Sequence, residues 1–174
     1  MELSQAIKLI QGAALFNKAP SHWADLGSGK GLFTRALAHC LAPGSRIDAV
    51  DRNPVIRQNI PFEGAVEIRW IQGDFISDSL PLQNIDGILM ANSLHFVSDK
   101  PYFIRKTAAY FGNQKQFLFV EYDTDVPNQW VPYPISFLRL REMFTRLGFP
   151  RINKISEMES RYRNSGIYSA LVSE

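Results

Sequence analysis

The seven residues Asp25-Leu26-Gly27-Ser28-Gly29-Lys30-Gly31 constrain the fold more than any other stretch of this chain. A short apolar run, His22-Trp23-Ala24-Asp25-Leu26, leads into them. A run with Leu32, Ala36, Leu37 and Cys40 follows, closed by Pro43-Gly44. Apolar residues running into glycines read as a buried strand and a tight turn, and recurrence at three and four residues reads as a helix face. Strand, glycine turn and helix in that order belong to α/β folds. Gly27, Gly29 and Gly31 let a ligand approach the backbone. The helix start points free N–H groups and a positive dipole end to the same place. The group suited to it is anionic: a pyrophosphate, or the carboxylate of an amino-acid moiety.

The rest of the chain repeats that alternation. Leu3, Ala6, Ile7, Ile10 and Ala14 predict an amphipathic helix over residues 3–17, stopped by Ala19-Pro20-Ser21. Strands are expected at 46–50 (ending at Asp51), 66–71 (ending at Gly73-Asp74), 85–91 and 116–121. Asn53-Pro54 reads as a helix start, Pro101 to Phe111 as a helix ended by Gly112, and Phe137, Leu140, Phe144 and Leu147 as a helix face with Gly148 past its end. Two last strands, 152–160 and 167–173, flank Asn164-Ser165-Gly166, whose residues suit a tight reversal into an antiparallel hairpin. The expected fold is therefore α/β: a mostly parallel seven-stranded sheet, covered on both faces, with an antiparallel C-terminal hairpin. No repeat or linker divides it, so residues 1–174 form one domain, with a helix at 3–17 and a core at 22–174.

Composition narrows the function classes. With 174 residues, 45% hydrophobic and 12% aromatic, the chain can bury a real core and is not a disordered one. A net charge of +2 does not by itself argue for nucleic acid or an acidic membrane. The single cysteine, Cys40, rules out an internal disulfide and a multi-cysteine metal site. His22, His39 and His95 are scattered, with no spacing suited to zinc, so no metal is expected. No secretory signal and no run of about 20 apolar residues is visible, which makes a cytoplasmic protein without a membrane span the expectation.

Three ligand motifs compete for the turn. A phosphate-binding P-loop needs a glycine where Ala24 stands and Ser or Thr where Gly31 stands, so it fails twice. A dinucleotide fingerprint fits at Gly27 and Gly29 but meets Leu32 at its third position, which weakens an NAD-dependent oxidoreductase reading. The third is Asp/Glu-x-Gly-x-Gly-x-Gly, matched in full by residues 25–31. With Ala49-Val50-Asp51-Arg52 and Gly73-Asp74-Phe75 it resembles motifs I, II and III of the class I S-adenosylmethionine-dependent methyltransferases. Ala91-Asn92-Ser93-Leu94-His95-Phe96 resembles the end of the fourth strand in the small ubiquinone/menaquinone-biosynthesis type. The resemblance covers nearly the whole chain and implies a Rossmann-like three-layer α/β/α sandwich and S-adenosylmethionine as cofactor.

By that resemblance Asp25, Gly27, Ser28, Gly29 and Gly31 hold the methionine part. Asp51 takes the ribose hydroxyls, with Arg52 beside it. Asp74 accepts from the adenine amino group, Phe75 lies against the ring, and Asn92 sits near the sulfonium. Each has a plainer reading: Asp51 as a helix-start residue, Asp74 as a strand end, Phe75 as core.

The acceptor side is less defined. His95, Glu121, Tyr122, Asp123, Trp130 and Tyr133 follow the fourth and fifth strands. His95 is the candidate general base, because its ordinary pKa lies near neutrality; a histidine after a strand is also commonly a structural hydrogen-bonder. Trp130 and Tyr133 suit an aromatic or lipid-like acceptor, or pack on the sheet. Between 139 and 163, Arg139, Arg141, Arg146, Arg151, Lys154, Arg161 and Arg163 raise a nucleic-acid substrate as an alternative to a solvated face. The expected partner is a small-molecule acceptor. A non-catalytic methyltransferase-like binding module is the second reading. No pattern here fixes an oligomeric state.

Overall fold

The structure, a computed structural model, describes residues 1–12, 19–53, 65–159 and 166–174. A seven-stranded sheet runs in the order β3-β2-β1-β4-β5-β7-β6. Its strands are β1 (His22–Leu26), β2 (Arg46–Asp51), β3 (Glu67–Gln72), β4 (Gly87–Ala91), β5 (Gln116–Tyr122), β6 (Arg151–Met158) and β7 (Ile167–Ser173). The first five are parallel to their neighbours, and β7 inserts antiparallel between β5 and β6. The helices are α1 (Leu3–Ile10), α2 (Leu32–Cys40), α3 (Lys100–Thr107) and α4 (Phe137–Arg146). The mostly parallel seven-stranded sheet and the hairpin are those the sequence predicts.

Each central strand is buried on both faces, which is why β4 and β5 read as continuous apolar runs. The pleat sends Ile88, Met90, Phe117 and Phe119 to one core with Leu140 and Phe144 of α4. Leu89, Leu118 and Val120 go to the other, with Leu9 of α1 and Leu37 of α2. Trp23 fills the second core only because β4 opens with a glycine: a Cβ on Gly87 would lie 2.5 Å from the indole ring.

The elements depart from expectation in detail. β4 begins at Gly87 rather than Ile85, which makes only an isolated bridge to Phe111. α3 starts one residue early, capped by the Asp99 side chain on the Tyr102 N–H, and tightens into a 3₁₀ turn over Ala108–Tyr110 before Gly112. The described part of α1 ends at Ile10, and residues 13–17 lie outside the described residues, as do Pro54 and Asn164-Ser165. Between β3 and β4 the chain forms no helix, and Leu80, Leu82 and Ile85 plug the core directly. Buried Asp48 of β2 carries a cluster that the sequence does not announce. It accepts two hydrogen bonds from Arg69 (2.8 and 2.9 Å) and one contact from His22 (2.8 Å). Burial opposes its charge, but Arg69 and His22 outweigh that and hold the carboxyl below its ordinary range. Among the described residues no helix is long and apolar enough to cross a membrane.

Candidate functional site

β1 is the switch point of the sheet: the next strand in sequence lies on one side of it and β4 on the other. Open α/β sheets bind ligands outside the C-terminal strand ends at such a point. A cleft of about 210 Å³ lies here, lined by Gly27, Asp51, Arg52, Asn53, Asp74, Phe75, Ile76, Asn92, Ser93 and Phe96.

The glycine turn forms its floor. Gly27, Gly29 and Gly31 have φ of 88°, 53° and 79°, the left-handed region that side chains disfavour. Gly27 must also be bare because a Cβ would lie 2.5 Å from Ser93 Cβ. A Cβ on Gly29 would meet nothing within 4 Å, so the space over that residue is open. Gly31 corrects the expectation that all three glycines leave room for a ligand. Its space is taken by Trp70, whose ring would lie 2.5 Å from an added Cβ. Gly31 also opens α2 without any side-chain cap, which leaves first-turn N–H groups for another acceptor.

The carboxylates occupy different depths. Asp51 accepts from the N–H of Gly29 (2.8 Å) and of Asn53 (2.9 Å), so it ties the turn after β1 to the end of β2. Asp74 accepts from the Ile76 N–H (2.9 Å) and lines the cleft. Asp25 is buried behind the turn and does not line the cleft. Its carboxyl accepts from Thr34 Oγ1 (2.6 Å). Burial pushes its pKa up to about 7, the nearby charge of Asp51 adds to this, and the Thr34 hydroxyl opposes it.

Two buried polar atoms have no partner among the described residues: Ser28 Oγ and Asn92 Oδ1. Asn92 lines the cleft, and it too holds a left-handed backbone, with φ of 52°. An unpartnered buried oxygen and a strained non-glycine residue are both costly, and they concentrate where a ligand binds.

His95 is placed elsewhere. It is buried, does not line the cleft, and directs Nδ1 to Glu121 Oε2 at 2.7 Å while its backbone N–H donates to Glu121 Oε1 at 3.3 Å. Phe96 covers it, ring centroids 4.4 Å apart. The carboxylate on Nδ1 fixes the tautomer and orientation of the ring.

Six residues expected at the site thus line one cleft (Gly27, Asp51, Arg52, Asp74, Phe75 and Asn92), and Asp25, Ser28, Gly29 and Gly31 build the turn behind it. Asn53, Ile76, Ser93 and Phe96 were missed; each stands one to four residues past an expected site residue, and only the loop path brings it to the wall. Tyr122 ends β5, Asp123 follows it, and Trp130 and Tyr133 stand exposed beyond.

A family model described as a methyltransferase domain matches residues 2–166. No curated protein matches. Among solved structures the chain is similar to a Burkholderia thailandensis 1,6-didemethyltoxoflavin-N1-methyltransferase with bound 1,6-didemethyltoxoflavin and S-adenosylhomocysteine. That likeness has 17% identity, a TM-score of 0.71, and coverage of 99% of this chain and 78% of that one. A SAM-dependent methyltransferase from Leishmania major gives 16% identity and a TM-score of 0.72, covering 97% and 72%. One from Aquifex aeolicus gives 13% and 0.67, covering 99% and 98%. At such identities these likenesses establish the fold.

Proposed function

The chain belongs to this methyltransferase-domain family, and on that premise we propose that it binds S-adenosylmethionine in the cleft and methylates a small-molecule acceptor. The observation that carries the reading is the pair of unpartnered buried oxygens, Ser28 Oγ within the glycine turn and Asn92 Oδ1 just past β4. The residues present fit the cofactor. The open space over Gly29 and the uncapped start of α2 suit the amino-acid end. Asp51 keeps lone pairs for two ribose hydroxyls beyond the two N–H groups it already accepts. Asp74 is suited to accept from the adenine amino group, Phe75 and Ile76 to cover the ring, and Arg52 to flank the ribose. Asn92 is suited to face the reactive end.

The cofactor, when bound, supplies a methyl group already activated on a positively charged sulfur. What remains for the protein is to hold the acceptor in line and to exclude water. His95 is buried and does not line the cleft, so proton transfer by His95 is not part of this reading. The same observation keeps the second reading, a binding module that holds the cofactor without turnover. Of the basic residues from 139 on, Arg161 and Arg163 lie outside the described residues, and three others pair with carboxylates at the surface. Arg139 and Arg146 meet Glu142 at 3.4 and 3.8 Å, and Lys154 meets Asp123 and Glu157 at 3.5 and 3.0 Å.

Calorimetric titration with S-adenosylmethionine, S-adenosylhomocysteine and NAD tests the proposal. Micromolar binding of the first two and none of NAD is expected. Asp51→Ala is expected to weaken that binding by about 1–3 kcal/mol. Well-folded protein that binds neither adenosyl ligand would overturn the reading.

A further inference from the structure

Nine large apolar side chains are exposed among the described residues, and six of them (Ile76, Phe96, Tyr102, Val126, Trp130 and Tyr133) follow the C-terminal ends of β3, β4 and β5. Exposed apolar residues scattered singly need no explanation, but their concentration on one edge does. Phe96 lines the cleft itself. The backbone of Tyr133 adjoins it, because the Tyr133 N–H donates to the carbonyl of His95 at 3.0 Å.

These side chains do not stand out because their loop is loose. Asn128 and Val131 exchange backbone hydrogen bonds of 3.1 and 3.2 Å, which fixes the turn that carries Trp130. Buried Lys100 donates through Nζ to the carbonyls of Val97 (2.9 Å) and Tyr133 (2.6 Å), pinning the segment after β4 to the loop after β5. Val131 and Ile135 are buried anchors, and the Tyr168 hydroxyl donates to Ile135 O at 3.0 Å. Aromatic side chains on a backbone held this firmly offer contact area at low entropic cost.

The charge of this wall is also settled. Residues 91–99 and 123–136 contain no Lys or Arg. Their carboxylates are engaged: Asp99 on Tyr102 N–H, Asp123 on Phe137 N–H, and Asp125 on the Ser136 N–H and hydroxyl. Lys100 directs its amine inward to two carbonyls. Within these two segments an anionic acceptor finds no counter-charge, the cleft's Arg52 standing after β2 beside Asp51; a neutral ring gives up far less than a carboxylate on leaving water.

We infer that Phe96, Trp130 and Tyr133 form the acceptor-binding wall and that it takes a flat, uncharged aromatic ring system, presented to the cleft at Phe96. The inference rests on the methyltransferase reading above.

The test is binding of three probes to protein saturated with S-adenosylhomocysteine: 2-naphthol, which is flat and neutral; 2-naphthoate, the same body with a carboxylate; and cyclohexanol, which is not flat. Calorimetry or saturation-transfer NMR reads it. We expect 2-naphthol to bind at least tenfold tighter than either of the others. Phe96→Ala, Tyr133→Ala and Trp130→Ala are each expected to weaken it at least threefold; for Tyr133→Ala and Trp130→Ala, which lie outside the cleft lining, S-adenosylhomocysteine affinity should stay within twofold of wild type. No naphthol binding up to its solubility limit, equal binding of naphthoate, or indifference to all three substitutions overturns the inference. So does self-association that Trp130→Ala abolishes, since the wall then belongs to a second copy. Failure of wild-type protein to bind S-adenosylhomocysteine sinks the methyltransferase reading instead, and is read in the same titration before any probe is added.

Discussion

The two halves of the cleft edge solve opposite problems. At the ends of β1 and β2 the chain keeps left-handed glycines, a helix start without a side-chain cap and a partnerless buried oxygen on Ser28; Asn92, just past β4, adds a second. Beyond Asn92 and after β5 the polar groups are already matched: His95 with Glu121, Lys100 with two carbonyls, and Asp99, Asp123 and Asp125 with backbone donors. An unmatched buried polar atom costs about 1–3 kcal/mol, so it persists where a ligand offsets it. A matched half is stable alone and faces solvent with apolar rings. The two halves should therefore separate under mutation, one controlling cofactor affinity and the other stability and acceptor recognition.

The largest effect tests the first half. Gly29→Val forces a β-branched residue to φ near 53°, and its side chain enters the open space over the turn. Left-handed strain is expected to cost about 1–2 kcal/mol of stability, leaving a near-native circular dichroism spectrum. Binding of S-adenosylhomocysteine should fall beyond detection, on the order of a thousandfold or about 4 kcal/mol. Wild-type affinity in that variant would mean that the turn is only a turn.

Glu121→Ala tests the second half. It strips His95 of its partner and leaves buried Lys100 without the carboxylate that favours its charge, although burial already pulls the Lys100 pKa down to about 8. Breaking a buried pair from one side is expected to cost about 3 kcal/mol in urea unfolding. At temperatures where the variant stays folded, S-adenosylhomocysteine affinity should stay within threefold. A large loss of affinity with stability intact would place the pair on the cofactor side and erase the contrast.

The difference between the halves also governs what the sequence reveals. Asp25, Asp51 and Asp74 stand at or just past successive strand ends, which apolar runs and glycine punctuation made legible; the cofactor roles expected of them came from the family resemblance. The terminal hairpin was legible from Asn164-Ser165-Gly166 between two strand-like runs. The partner of His95 was not, because Glu121 is 26 residues away and meets it only through the parallel pairing of β4 with β5. Nor was the role of Lys100, which its position at a helix start marks as an ordinary exposed cation, or the Asp48 cluster, whose members His22, Asp48 and Arg69 meet only through the pairing of β1, β2 and β3. Gly31 and Gly29 look alike in the motif, but the third strand places Trp70 above Gly31 and nothing within 4 Å of Gly29.

A similar effect comes from pH. The Asp25 carboxyl titrates near 7 in the folded protein against an ordinary 3.8. The folded state therefore holds more protons than the unfolded chain between about pH 4 and 7, so this group's contribution to stability is full below pH 4 and is lost as pH rises through 7. Asp25→Asn keeps an acceptor for the Thr34 hydroxyl and removes the ionisation. Its stability relative to wild type should rise across that window by on the order of 3 kcal/mol, read from urea unfolding at pH 4.5, 6 and 8. A flat difference would mean that Asp25 stays charged throughout.

The smallest effect sharpens the boundary between the two kinds of glycine. Gly31→Ala places a Cβ at φ near 79° and 2.5 Å from the far edge of the Trp70 indole, which is 39% exposed and free to swing outward. The expected cost is about 1–2 kcal/mol of stability with S-adenosylhomocysteine affinity within twofold, since the displaced neighbour is a side chain and not a ligand. In a Trp70→Ala background the same substitution should cost less, because only the backbone strain remains; the difference between the two backgrounds is the packing that Gly31 makes possible. Equal costs in both backgrounds would remove Trp70 from the account. A tenfold loss of affinity in Gly31→Ala that Trp70→Ala does not share would extend the ligand's floor by two residues, into the first turn of α2.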